Sequence, residues 1–282
     1  MEVMIKNQLI SATINSLGAE LVELNKNDKK YIWEVDTNFW DKTSPVLFPT
    51  IGLLKNEEYR FNGKTYKLPR HGFARNFDFE VISKNEDSVV FSLKSSEKTL
   101  NIYPFQFELR ISYLLEGNKL IVTYDVINLS DEKMYYSIGA HPAFAIDGNF
   151  EDFTLIFDED KDLETHKLEN ELFSGRTETV QLHDKGLPLN YQLFEKDALV
   201  FKNSATQSLT IAKGKNPILK VEFSDFPYLG IWTKVNAPFI CIEPWLGIAD
   251  NVNSTGDLTE KEGIQMLESF GENSVSWSVE VF

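Results

Sequence analysis

The chain has 282 residues, 42% of them hydrophobic and 13% aromatic, which is ample for a large core. Asp and Glu total 43 against 28 for Lys and Arg, giving a net charge of −15 that repels nucleic acid and anionic membranes. A neutral small molecule is compatible with that field, a phosphorylated one requires a local basic pocket, and a single cysteine, Cys241, excludes an internal disulfide.

The N-terminus, Met1-Glu2-Val3-Met4-Ile5-Lys6, lacks the basic start and apolar stretch of a signal peptide, and no run reaches bilayer length. A cytoplasmic protein without membrane partners is expected. Strands are predicted over 8–14 and 19–24, and Asn62-Gly63 between Tyr59-Arg60-Phe61 and Lys64-Thr65-Tyr66 signals a hairpin. Another strand follows over 88–93. Over 105–113, Phe105, Phe107, Leu109, Ile111 and Tyr113 alternate with polar residues, as in a strand with one buried face. Glu116-Gly117-Asn118 turns the chain into a strand over 119–127, and Asp147-Gly148-Asn149 precedes one over 153–157. The acidic stretch 158–171 reads as a solvated loop or a short surface helix. Further strands are predicted over 198–202, 207–212, 218–223, 228–233 and 238–243, with a turn at Lys213-Gly214-Lys215. The last, over 274–281, sets Val275, Trp277, Val279 and Val281 against serines and Glu280. Helical periodicity nowhere exceeds about two turns, and no linker or repeat divides the chain. These elements predict an all-β protein, a large antiparallel β-sandwich forming a single domain over 1–282.

Two segments carry a titratable group among apolar and small residues, each followed by proline: Gly139-Ala140-His141-Pro142-Ala143-Phe144 and Cys241-Ile242-Glu243-Pro244-Trp245. Proline biases the residue before it towards extended backbone and removes a donor. Burial of Glu243 would raise its pKa towards the range useful for a base. One imidazole and one carboxylate are the minimum for general acid–base chemistry. His71 lies between Arg70 and Arg75 in Arg-His-Gly-Phe-Ala-Arg, whereas His166 and His183 have the polar surroundings of surface residues. Cys241, in an apolar run, reads as a small buried hydrophobe. Asp225 precedes Phe226-Pro227 and is either a turn initiator or a second carboxylate. Paired with Glu243 across a glycosidic bond at about 5–9.5 Å, it would suit a glycoside hydrolase. Metal-ligand spacing, a nucleophile elbow, a P-loop and a dinucleotide fingerprint are all missing from the sequence. A metal site assembled from the distant His71, His141 and Glu243 is left open by the spacing.

At these residues the chain resembles the aldose 1-epimerase (galactose mutarotase-like) family, and within it the LacX-like branch. The resemblance rests on Ser44-Pro-Val-Leu-Phe-Pro-Thr-Ile-Gly52, Arg70-His-Gly-Phe-Ala-Arg75, the His141 segment, Tyr228-Leu-Gly-Ile-Trp-Thr233 and the Glu243 segment, in that order. It implies a galactose mutarotase-like supersandwich and a cofactor-free mutarotase that interconverts the anomers of a sugar substrate, as a monomer or homodimer. In that scheme His141 is the general acid at the ring oxygen, Glu243 the base at the anomeric hydroxyl, and His71 a second histidine that steadies the ring oxygen. The resemblance further implies that Asp225 binds sugar hydroxyls, and that Arg75, helped by Arg70 or Lys55, is the arginine that holds phosphate in hexose 6-phosphate relatives. Ser44-Pro45-Val46 stands where those relatives carry another arginine. Trp245, Trp232, Phe73 and Phe144 are candidates for an apolar sugar platform or for core packing. A non-catalytic sugar sensor on the same fold is the other reading.

Overall fold

In the computed structural model, which describes residues 1–159 and 162–282, the alternating segments form two large antiparallel sheets. The nine-stranded sheet runs, in spatial order, Gly186–Pro188, Phe153–Phe157, Ser208–Lys213, Asn216–Glu222, Glu272–Val281, Lys119–Asn128, Phe107–Glu116, Ser88–Lys94 and Glu80–Lys84. The seven-stranded sheet runs Ile138–Gly139, Phe239–Leu246, Tyr228–Trp232, Leu199–Lys202, Leu163–Glu169 and Leu172–Val180, with Ala143–Ala145 also paired to Phe239–Leu246. A smaller four-stranded sheet holds the N-terminal strands, and Asn62-Gly63 makes the expected hairpin between Glu58–Phe61 and Lys64–Lys67. Among the described residues no helix is long and apolar enough to cross a membrane.

The residue alternation does what its period requires. Phe107, Leu109, Ile111 and Tyr113 are buried on one strand, and Val275, Trp277, Val279 and Val281 on another. They join one apolar cluster that extends from Val3 to Val281 and includes Phe144, Ile240 and Ile242 of the seven-stranded sheet. Burial of this kind contributes about 25 cal/mol per Å² of apolar surface, which is what orders so many strands.

One expectation fails. The acidic stretch 158–171 holds no helix among its described residues and is loop only at its ends: Leu163–Glu169 is a strand that pairs with Leu172–Val180 and, at Thr165, with Phe201. A register shift between His166 and Leu168 breaks its period of two, which hid the strand beneath its charges. Asn170 and Glu171, at φ 49° and 65°, close the hairpin in the left-handed conformations of a type I′ turn. Of the two histidines expected at the surface, His183 is exposed and His166 is half-buried on this strand.

The segment after the Phe239–Leu246 strand is fastened by a buried ion pair. Lys261 Nζ donates to Asp250 Oδ1 at 2.9 Å and to the Ile248 carbonyl at 2.6 Å, while Asp250 Oδ2 accepts the Lys55 N–H at 3.0 Å. Lys261→Met leaves the Asp250 carboxylate buried and uncompensated, so stability should fall by about 3–5 kcal/mol in urea unfolding. A loss within ~0.5 kcal/mol would show that water enters and solvates Asp250.

Candidate active site

Glu243 stands on the Phe239–Leu246 strand, all of whose residues are buried. One edge of this strand pairs with Tyr228–Trp232, setting Glu243 opposite Gly230. The other edge meets Gly139 through Trp245 and Ala143 through Cys241. Between those two contacts the ladder opens at Ala140, His141 and Pro142. Pro142 has no N–H to give. The gap is spanned by the Ala140 N–H to the Pro244 carbonyl at 3.0 Å and the Ile242 N–H to the Pro142 carbonyl at 3.3 Å. His141 is thereby turned towards the carboxylate, with Nε2 3.2 Å from Glu243 Oε2.

His71 arrives from a tight turn. Its φ of 67° lies in the left-handed region that a histidine seldom adopts. Two reciprocal bonds hold it there: its N–H donates to the Gly52 carbonyl at 2.9 Å, and the Gly52 N–H donates to its Nδ1 at 3.1 Å. With Nδ1 accepting, the neutral ring carries its proton on Nε2. The following Gly72 is required because a Cβ there would lie 2.2 Å from the Phe48 carbonyl oxygen. The rings of His71 and His141 meet edge to face with centroids 5.8 Å apart.

These groups line a cavity of about 280 Å³. Trp40 and Trp232 form one wall, their rings 4.8 Å and 5.9 Å from that of His141. Trp245 forms another, seated between two glycines: a Cβ on Gly139 or Gly230 would lie 2.7 Å or 2.6 Å from its indole. The rim carries Arg70, Arg75, Glu171 and Asp197, two charges of each sign. Arg70 is bonded to Glu171, and Arg75 donates to the Arg70 carbonyl at 2.8 Å.

Burial dominates the electrostatics. It pushes the Glu243 carboxyl well above the usual carboxylate range, with the Arg70 charge pulling the other way. Burial, then Arg70, hold His141 down at about 3 and His71 well below its ordinary value. Both histidines are therefore neutral at pH 7. An imidazole and a carboxyl in contact in such a setting can exchange one proton between them. Among the described residues His141 Nδ1 is buried without a hydrogen-bond partner.

The sequence profile described as Aldose 1-epimerase matches residues 1–261. The chain belongs to the aldose 1-epimerase family. Within it, the chain is 33% identical to the plasmid-borne Protein LacX of Lactococcus lactis subsp. lactis, over 100% of this chain and 99% of that protein. A galactose mutarotase related enzyme from Lactobacillus acidophilus superposes with a TM-score of 0.95 at 34% identity, covering 100% of this chain and 97% of that one. A galactose mutarotase-like protein from Lactobacillus casei gives a TM-score of 0.95 at 31% identity, with both chains fully covered. The fold is thus the galactose mutarotase-like one that the resemblance implied.

On this aldose 1-epimerase fold, His71, His141, Glu243, Arg70, Arg75 and Trp245 share one cavity although they are far apart in the chain. Asp225 does not join them. It lies exposed in the turn before Tyr228–Trp232, where its Oδ2 accepts the Ser276 N–H at 2.8 Å and ties that turn to the nine-stranded sheet. The carboxylate pair of a glycoside hydrolase is therefore not assembled from Asp225 and Glu243. Phe73 and Phe144 are core residues, whereas Trp232 and Trp245 face the cavity. Sequence reasoning missed Asp197, Glu171 and Trp40. Asp197 ends a charged run, Glu195-Lys196-Asp197, and Trp40 lies in an aperiodic loop, so neither carried a local signal.

A histidine depressed in the folded state contributes stability that is present above its unfolded pKa of about 6.5 and is lost as pH falls towards the folded value. The stability advantage of the wild type over His141→Gln should therefore shrink by about 3 kcal/mol between pH 7 and pH 4 in urea unfolding. An advantage constant over that range would contradict the depressed pKa.

Proposed function

We propose that this protein is a cofactor-independent mutarotase of the isomerase class that interconverts the α and β anomers of an aldose by acid–base ring opening. The observation that carries the reading is the 3.2 Å contact between His141 and Glu243 in the wall of a sugar-sized cavity. The ring oxygen and the anomeric hydroxyl of an aldose are attached to the same carbon. An acid and a base that stand side by side can therefore serve both. Within the resting neutral pair Glu243 first passes its carboxyl proton to His141 Nε2; the imidazolium then gives that proton to the ring oxygen as the C1–O5 bond breaks, and the Glu243 carboxylate takes the proton of the anomeric hydroxyl as the C1–O1 double bond forms. Rotation about C1–C2 presents the other aldehyde face, and the reverse transfers reclose the ring and restore the pair.

The forward step moves the pair from its charged to its neutral form, which burial favours. Reclosing is assisted by the attraction between imidazolium and carboxylate at close range. His71, neutral with its proton on Nε2, is suited to donate a hydrogen bond to the ring oxygen without competing for the reacting proton. Asp197, half-buried on the cavity rim, takes the sugar-hydroxyl role expected of Asp225. Trp232 and Trp245 offer apolar faces to the ring carbons. The preferred substrate is an unphosphorylated aldose, because the rim charges balance and Arg70 is engaged by Glu171. A small-molecule substrate in the cytoplasm suits the acidic surface. Arg75, which also lines the cavity, favours a second reading with a hexose 6-phosphate.

Anomeric exchange measured by NMR on glucose, galactose and their 6-phosphates tests the proposal. The wild type should accelerate at least one sugar above buffer. Glu243→Gln and His141→Asn should each slow that exchange by at least about 10²-fold with folding intact. Near-normal rates in both variants would sink the assignment, and sugar binding without acceleration would transfer it to a sensor. Arg75→Ala should affect glucose and glucose 6-phosphate equally if the substrate is unphosphorylated; a loss confined to the phosphate would favour the second reading.

A further inference from the structure

Cys241 is buried and stands two residues before Glu243 on the same strand, so the two side chains project from one face. It is not used by the acid–base scheme. Yet one donor atom each from His141, Cys241 and Glu243 lie within 4.8 Å of one another. His141 is 92% buried, and its Nε2 already stands 3.2 Å from Glu243 Oε2. We propose that His141, Cys241 and Glu243 form a binding site for a thiophilic divalent cation such as Zn²⁺, which enters through the sugar cavity and silences the acid–base pair.

The donor set is one imidazole, one thiol and one carboxyl, all types that zinc accepts in four-coordinate sites. Zinc lies about 2.0–2.3 Å from such ligands, so donors around a tetrahedral ion stand about 3.3–3.7 Å apart. His141 Nε2 and Glu243 Oε2 are already 3.2 Å apart, and closing the triangle requires shifts of about 1 Å. Charge also balances. A dication bound by one thiolate and one carboxylate carries no net charge, which offsets most of the cost of burying it among Trp33, Phe239 and Trp232. Binding releases the thiol proton and the carboxyl proton to solvent. His141 and Glu243 line the cavity, so water or a sugar hydroxyl would complete the shell from that side. His71, which the sequence grouped with His141 and Glu243, is not a ligand here because its Nδ1 is engaged by the Gly52 N–H. The site itself is independent of the mutarotase reading; only the inhibition rests on it.

Because Cys241 is the sole cysteine of the chain, a thiolate–metal signature can come from no other place. Co²⁺ added alone to the full-length reduced protein should give a near-ultraviolet thiolate-to-cobalt charge-transfer band with the intense visible bands of tetrahedral cobalt. These should saturate at one ion per chain and be displaced by Zn²⁺. Cys241→Ser and Cys241→Ala should lose the charge-transfer band and keep the metal-free exchange rate. Their inhibition by Zn²⁺ should be weaker by at least about 10-fold. Weak octahedral bands alone in the wild type, or equal Zn²⁺ sensitivity in both folded variants, would overturn the site. Should the protein prove inactive on every sugar, the cobalt spectrum still decides the metal site and only the mutarotase reading fails.

Discussion

Burying an imidazole against a carboxyl at 3.2 Å is the constraint on which this molecule's working part depends. Neither group belongs in an apolar interior alone, since an unpaired buried charge costs several kcal/mol. Both become tolerable when they hold each other and share protons. That requires a backbone stiff enough to keep two side chains in register, and a gap in hydrogen bonding where a ring can enter. The Phe239–Leu246 strand supplies the first. The break between Ile138–Gly139 and Ala143–Ala145 supplies the second.

Much of the surrounding structure follows from protecting that arrangement. Gly139 and Gly230 flatten the two strands next to Trp245 so that its indole can wall the cavity. The Gly52–His71 clasp fixes a ring tautomer in place at the cost of a left-handed histidine, a strain of about 1–3 kcal/mol that persists only where neighbours enforce it. The Asp250–Lys261 pair anchors the segment whose Ala249 lines the same cavity. These positions tune one another: Arg70 draws the pKa values of His71, His141 and Glu243 down together while burial divides them by charge type.

The legible parts of the sequence were those with a strong local signal. Period-two alternation marked strands such as Phe107–Glu116 and Glu272–Val281 because one of their faces is buried throughout. It failed for Leu163–Glu169, whose register shift scrambles the faces. His141 and Glu243 were visible because each sits in an apolar segment closed by proline, a context in which a titratable group needs a reason. Asp197 and Trp40 reach the cavity only through the topology, and nothing in their own neighbourhood distinguishes them from surface charge or core filling. Asp225 misled for the same reason reversed: an apolar context two residues from a proline marks a turn as readily as a site. Its carboxylate turned out to fasten one sheet to the other.

The protonation state of His141, read from the ring ¹⁵N shifts of the histidines between pH 3 and pH 8 in the wild-type protein, decides whether the buried pair works as described. A neutral ring is expected at pH 7, remaining neutral until the pH nears about 3. Titration of His141 with an ordinary midpoint near 6.5 would contradict it. The ring would then be solvated and charged, and Glu243 would no longer share a buried proton with it.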